Sequence, residues 1–155
     1  MYITLKMKIQ DQEYDLEVNL ANRAGRIYRQ QYNRDLIKDM SDLYKKINKS
    51  PLDEIDMTGI EIKGKTEEEI YEQLMGRVDV GKLMNAQSDQ IILDFEETER
   101  AGQIIWAFAK NRDEKLPNYE KWIDSFDFIL PVDKIVSALF EAWGKAAQPT
   151  IELKN

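Results

Sequence analysis

The chain has 155 residues, 43% hydrophobic and 33% charged, with a formal net charge of −7. That length and balance read as one globular domain able to bury roughly 70% of its unfolded surface, and no run of about 18 apolar residues is present to span a bilayer. There is no Cys and no His, which excludes disulfides, zinc-thiolate sites, thiol nucleophiles, imidazole ligation and Ser-His-Asp chemistry and leaves carboxylate-only enzymes, such as glycosidases or magnesium-dependent phosphotransferases, as the catalytic option.

The first element reads as a hairpin over residues 1–20. Ile3, Leu5, Met7 and Ile9 alternate with polar residues, and Tyr14, Leu16, Val18 and Leu20 do so again across the polar link Gln10-Asp11-Gln12-Glu13. Period-two alternation means one buried and one wet face, and a lone hairpin needs something packed on it. The same stretch lacks the apolar block of a signal peptide, and the host cytoplasm is the expected location.

Residues 21–49 change period and read as a helix-turn-helix pair. Leu20, Ala24, Ile27, Tyr28 and Gln31 fall on one face, Asn33-Arg34 interrupts, and Asp35 caps a second helix whose stripe is Leu36, Met40, Leu43, Tyr44 and Ile47. Ser50-Pro51 ends it, and 51–65 reads as an exposed connection. Thr66-Glu67-Glu68-Glu69 has the form of a capping box opening a helix with Ile70, Leu74 and Val78 that ends near Gly81. Residues 82–90 are ambiguous.

The helical body, 66–147, closes with three clearer helices. Residues 94–110 set Phe95, Thr98, Ala101, Ile105, Phe108 and Ala109 on one side. Pro117-Asn118 opens a short helix with Tyr119, Trp122, Ile123 and Phe126, and Pro131 suits the first turn of a helix with Val132, Ile135, Val136, Leu139, Phe140 and Trp143. Residues 149–155 form a tail. The expected fold is α+β and mostly α: an N-terminal β-hairpin packed on a body of five to six helices, a single domain over 1–148.

Residues 21–49 hold eight bases and three acids, a local balance of +5. Nucleic-acid binding wants such a patch with aromatics to stack on bases, but Tyr28 and Tyr44 lie on the apolar stripes and the rest of the chain is acidic. A solvated or partner-facing surface is the plainer reading. The acids of TEEEIYEQL complement a helix dipole, and Asp124 and Asp127 are explained by capping and exposure. No metal ligand, cofactor site or catalytic residue is assigned. Gly25 and Gly102 interrupt helices at about 1 kcal/mol each against Ala, explained by close approach of another backbone or by a binding groove. The last third is dense in aromatics, among them Trp106, Trp122, Phe126 and Trp143, which fill a core or line a groove for an apolar partner segment.

Three pieces together carry a family resemblance: the hairpin start, the segment RAGRIYRQQYNRDLIKDMSDLYKKI, and IIWAFAKNRDEKLPNYEKWIDSFD followed by a helix. In this order they resemble the phage tail assembly chaperones of prophages in Gram-positive bacteria. The likeness covers roughly 100 residues by its motifs and leaves 51–90 unmatched. It implies a non-enzymatic protein that binds the tape-measure protein, keeps its apolar segments soluble and helps tail tube protein gather around it, with self-association open. It also implies a short form of a frameshifted pair. Under that reading Trp106, Trp122, Phe126 and Trp143 contribute to a client groove, and Arg23, Arg26 and Arg29 meet acidic client residues. The alternatives are a nucleic-acid-binding regulator using the 21–49 helices, a carboxylate enzyme, or a structural tail component.

Overall fold

Two residues in the left-handed region, Gln10 (φ 51°) and Asp11 (φ 66°), turn the first strand back on itself. Positive φ at both central positions is the tight two-residue turn whose twist matches that of a hairpin. The link is therefore shorter than the four-residue one expected, and Gln12 and Glu13 belong to the second strand. Strand β1 (Tyr2–Ile9) pairs antiparallel with β2 (Gln12–Asn19), with Leu5 opposite Leu16 and Ile3 opposite Val18. On the outer face Lys6 opposes Asp15 and Lys8 opposes Glu13, opposite charges that favour this register.

The computed structural model describes residues 1–48, 58–77 and 93–148. The chain forms two compact units, residues 1–47 with 93–155, and residues 48–92. The fold is α+β and mostly helical, with the two-stranded hairpin and six helices among the described residues. The expected tail, 149–155, lies outside them, as do 51–57 and 82–90.

In the first unit, α1 (Arg23–Tyr32) ends at Asn33, whose left-handed conformation (φ 54°, ψ 41°) lets its N–H donate to the Arg29 carbonyl. Asp35 then caps α2 (Leu36–Ile47) by accepting the Lys38 N–H at 2.9 Å. α1 and α2 both pack on a long central helix, residues 95–112, and so does β2. A reciprocal capping box starts that helix: Asp94 accepts the Glu97 N–H at 2.8 Å and the Glu97 carboxylate accepts the Asp94 N–H at 3.2 Å. Its burial runs nearly all round, because Ala101, Ile104, Ile105, Trp106, Ala107, Phe108 and Ala109 are all buried. One-sided patterning suits a helix on a surface, and this one is enclosed. Phe95, placed on the apolar stripe by its spacing, is instead 85% exposed, one residue beyond the cap and short of the core.

At the far end Asn111 donates to the Asn19 carbonyl at 3.0 Å and Arg112 to the Ile3 carbonyl at 3.1 Å, fastening the hairpin to the helix. The shorter helix 119–124 is capped by Asn118, which accepts the Lys121 N–H at 3.0 Å. Pro131 stands at the cap position rather than within the first turn of the last helix, 132–146. In chain order the last four helices are α3 (Glu67–Met75), α4 (Phe95–Arg112), α5 (Tyr119–Asp124) and α6 (Val132–Ala146).

Gly102 has a packing reason. A Cβ built there would sit 2.6 Å from the Tyr119 hydroxyl and 3.1 Å from its ring, so α4 and α5 approach closely only because this residue lacks a side chain. Gly102→Ala is expected to destabilise by about 1–3 kcal/mol, although Ala is the better helix former by about 1 kcal/mol. In a Tyr119→Ala background the same change should become neutral or stabilising. Thermal unfolding of the four proteins reads this coupling directly.

In the second unit, Thr66 caps α3 by accepting the Glu69 N–H at 3.2 Å. The expected box is only half made, since the Glu69 carboxylate lies toward Lys65 Nζ at 3.8 Å. The helix ends at Met75 with Gly76 as its cap, well before Gly81. Gln73 grips both backbone groups of Glu61, at 3.0 and 2.9 Å, and Arg77 donates to the Thr58 carbonyl at 2.6 Å. No residue of α3 is buried.

Candidate functional site

The first helix departs from the usual charge arrangement. It opens with Arg23, has no acid in its first turn and no side-chain cap from Asn22, whereas the positive end of a helix dipole favours acids there. Arg23 and Arg26 are therefore not explained by the helix dipole, whereas Arg29 falls in the last turn, where the dipole favours a base, and the surroundings of the three differ. Arg23 forms an ion pair with Glu114. Arg26 and Arg29 are exposed, and their guanidinium groups have no ion pair or hydrogen bond among the described residues.

The next base, Arg34, is held by a buried acid. Its Nε donates to Asp39 Oδ2 at 2.6 Å and its Nη2 to Oδ1 at 2.9 Å, a two-pronged grip, while the Tyr28 hydroxyl donates to Oδ2 at 2.6 Å. Asp39 is only 3% exposed and Tyr28 is fully buried. Burial on its own would raise the Asp39 carboxyl, but the hydrogen bonds from Arg34 and Tyr28 outweigh it and hold the group below its usual range. Burial, then the hydrogen bond to Asp39, pushes the Tyr28 hydroxyl well up. This cluster clasps α1 to α2 and fixes the angle at which the bases of the pair are presented. Asp39 went unrecognised in the sequence, although its offset of three from Leu36 puts it on the apolar face.

Two open depressions flank α1. One, of about 450 Å³, is lined by Asn22, Gly25, Arg26, Arg29, Asn33, Arg34, Asp35, Leu36 and Ile37. The other, of about 310 Å³, is lined by Arg23, Ile27, Gln30, Gln31, Trp106, Lys110 and Glu114. The second is internally satisfied: Arg23 pairs with Glu114, and Lys110 donates to the Glu114 carbonyl at 2.7 Å. In the first, the two unpaired guanidiniums border Ile37, which is 44% exposed.

The aromatic candidates do not come together as one groove. Trp106 is buried, its indole N–H donating to the Pro117 carbonyl at 2.9 Å, with Tyr32 edge-on at 6.1 Å. Trp122 is buried too, edge-on to the half-buried Phe126 at 5.1 Å. Trp143 is half-buried against Phe108 at 5.5 Å. Of the seven residues assigned to partner binding, Arg26 and Arg29 share one depression and Arg23 and Trp106 share the other. Trp122, Phe126 and Trp143 line neither. Rings of the last third also pack on the hairpin, α1 and α2, in the pairs Tyr14–Phe128, Tyr32–Trp106 and Tyr44–Phe140.

Gly25 contrasts with Gly102. A Cβ there meets no heavy atom within 4 Å, so the internal packing does not require a glycine. Gly25→Ala is expected to raise stability by about 0.5–1 kcal/mol through helix propensity and a less flexible unfolded chain. A higher midpoint in thermal unfolding checks this, and a lower one would reveal a packing constraint at this position.

Among the described residues no group of three or more acids, His or Cys converges as a metal site, and no helix is long and apolar enough to cross a membrane. No family model, curated protein or solved structure matches the chain.

Proposed function

We propose that the protein is a non-enzymatic assembly factor, a tail assembly chaperone that binds a tape-measure protein and brings tail tube protein to it. The order of the hairpin, the RAGRIYRQQYNRDL segment and the later IIWAFAKNRDEKLPNYEKW segment supports the family reading. The structural observation that carries it is the outer face of α1. There two exposed, unpaired arginines border an open depression with an apolar rim, beside the hydrogen-bonded clasp that joins the two helices. A preformed surface of mixed charge and apolar character suits contacts with another protein.

The experiment is co-expression with the protein encoded by the longest open reading frame downstream, which this reading takes to be the tape-measure protein. Solubility and co-purification of that protein only when this chain is present support the proposal. A tape-measure protein that stays insoluble, or that is soluble alone, removes it. Nucleic-acid binding rests on the same arginines, and a mobility shift that weakens steeply with added salt would favour it.

A further inference from the structure

We infer that the depression between α1 and the start of α2 seats an acidic helical segment of a partner protein, its carboxylates on Arg26 and Arg29 and an apolar side chain against Ile37. The inference rests on the assembly-factor reading only for the identity of the protein that carries the segment.

Three observations point to this surface. Arg23, Arg34 and Lys46 each hold an acid of this chain, Glu114, Asp39 and Glu97 in turn. Arg26 and Arg29 hold none among the described residues and lie three residues apart, on the same side of one helix. Carboxylates one helical turn apart on a partner match that spacing, and guanidinium–carboxylate pairs are the stronger kind of charged hydrogen bond. Second, the depression has an apolar edge in Leu36 and Ile37, which a small anion does not use and an amphipathic helix does. Third, Gly25 leaves its floor open at a position where internal packing asks for no glycine. A helical glycine facing open space is explained when another chain comes close to the backbone there.

Charge decides between an acidic protein segment and nucleic acid. The stretch 21–49 carries +5, and with the chain at −7 the remainder carries −12. The negative charge of that remainder repels a long phosphate backbone. A short acidic helix touches the patch alone.

The test is fluorescence anisotropy of the full chain with a labelled helical peptide bearing Glu one turn apart beside a Leu stripe. A peptide with Lys in place of each Glu and a short DNA duplex serve as comparisons. The expected result is at least about tenfold tighter binding of the Glu peptide than of the Lys peptide. Arg26→Glu with Arg29→Glu should remove that preference or reverse it, and Gly25→Leu, which fills the floor without breaking the helix, should weaken the Glu peptide by a similar factor. Circular dichroism and an unshifted unfolding transition establish that the charge variant is folded. Equal binding of the two peptides, no binding at all, unchanged binding by the double variant, or tighter binding of the duplex would each overturn the inference. Co-expression separates it from the broader reading. If the peptide preference holds but the tape-measure protein is not retained, the surface stands and the assembly reading falls. If the double variant retains that protein as well as the wild type does, the surface is wrong and the assembly reading stands.

Discussion

Phe108→Ala is expected to cost about 3–5 kcal/mol, the range for deleting a buried aromatic ring from a packed core. Phe108 is fully buried in α4, the helix on which β2, α1, α2, α5 and α6 all pack, and its ring lies 5.5 Å from that of Trp143. Few neighbours are free to collapse into the space, since Ile104, Ile105 and Leu139 are themselves fully buried. Total stabilities of domains this size are about 5–15 kcal/mol, so the loss takes a large part of the whole. In thermal unfolding it corresponds to roughly 6–20 °C. A midpoint shift of only a degree or two would mean that α4 is not the centre of the fold.

Asp39→Ala comes next, at about 3 kcal/mol. The change leaves the buried Tyr28 hydroxyl without its acceptor, worth about 1–3 kcal/mol. It also removes the two-pronged bond to Arg34, discounted because that side chain is 44% exposed. Tyr28→Phe should cost less, about 1–2 kcal/mol, and adding it to Asp39→Ala should cost little more, because both remove the same hydrogen bond. The effect has a pH signature. The folded Asp39 carboxyl titrates below its unfolded value, so its stabilisation is fully present above the unfolded carboxylate range, near pH 4. It is lost as pH falls through the lower folded value. The gap between wild type and Asp39→Ala, measured by denaturant unfolding, should therefore be constant from neutral pH down to about 5 and close in stronger acid. A gap that widened on acidification would contradict the clasp.

Much of this architecture is legible in the sequence because local chemistry and global packing agree. Asn33 and Asp35 spell a helix stop and a helix start, Asn118 a cap, and the alternation of Ile3 to Ile9 a strand with one face covered. What spacing does not show is enclosure. The same intervals describe a helix on a surface and a helix surrounded by five elements, so Trp106 looked available for a groove while it is in the core. Trp122 is buried as well, and an aromatic-rich short helix reads alike in sequence whether its rings face a partner or α4. The Asp39 clasp was hidden because acids are counted as surface until a buried donor is found for them, and Tyr28 becomes that donor only once α1 folds back on α2. The two glycines look identical in sequence. Only the positions of Tyr119 and of the open depression separate the one that packing requires from the one it does not.

The most direct measurement is the amount of tape-measure protein recovered in the soluble fraction with three versions of this chain: wild type, Arg26→Glu with Arg29→Glu, and Trp143→Phe. If the outer face of α1 is the working surface, wild type and Trp143→Phe recover it alike and the charge variant, folded by circular dichroism, does not. Recovery by the charge variant at the wild-type level, or loss with Trp143→Phe alone, would contradict that account and return the aromatic residues to consideration.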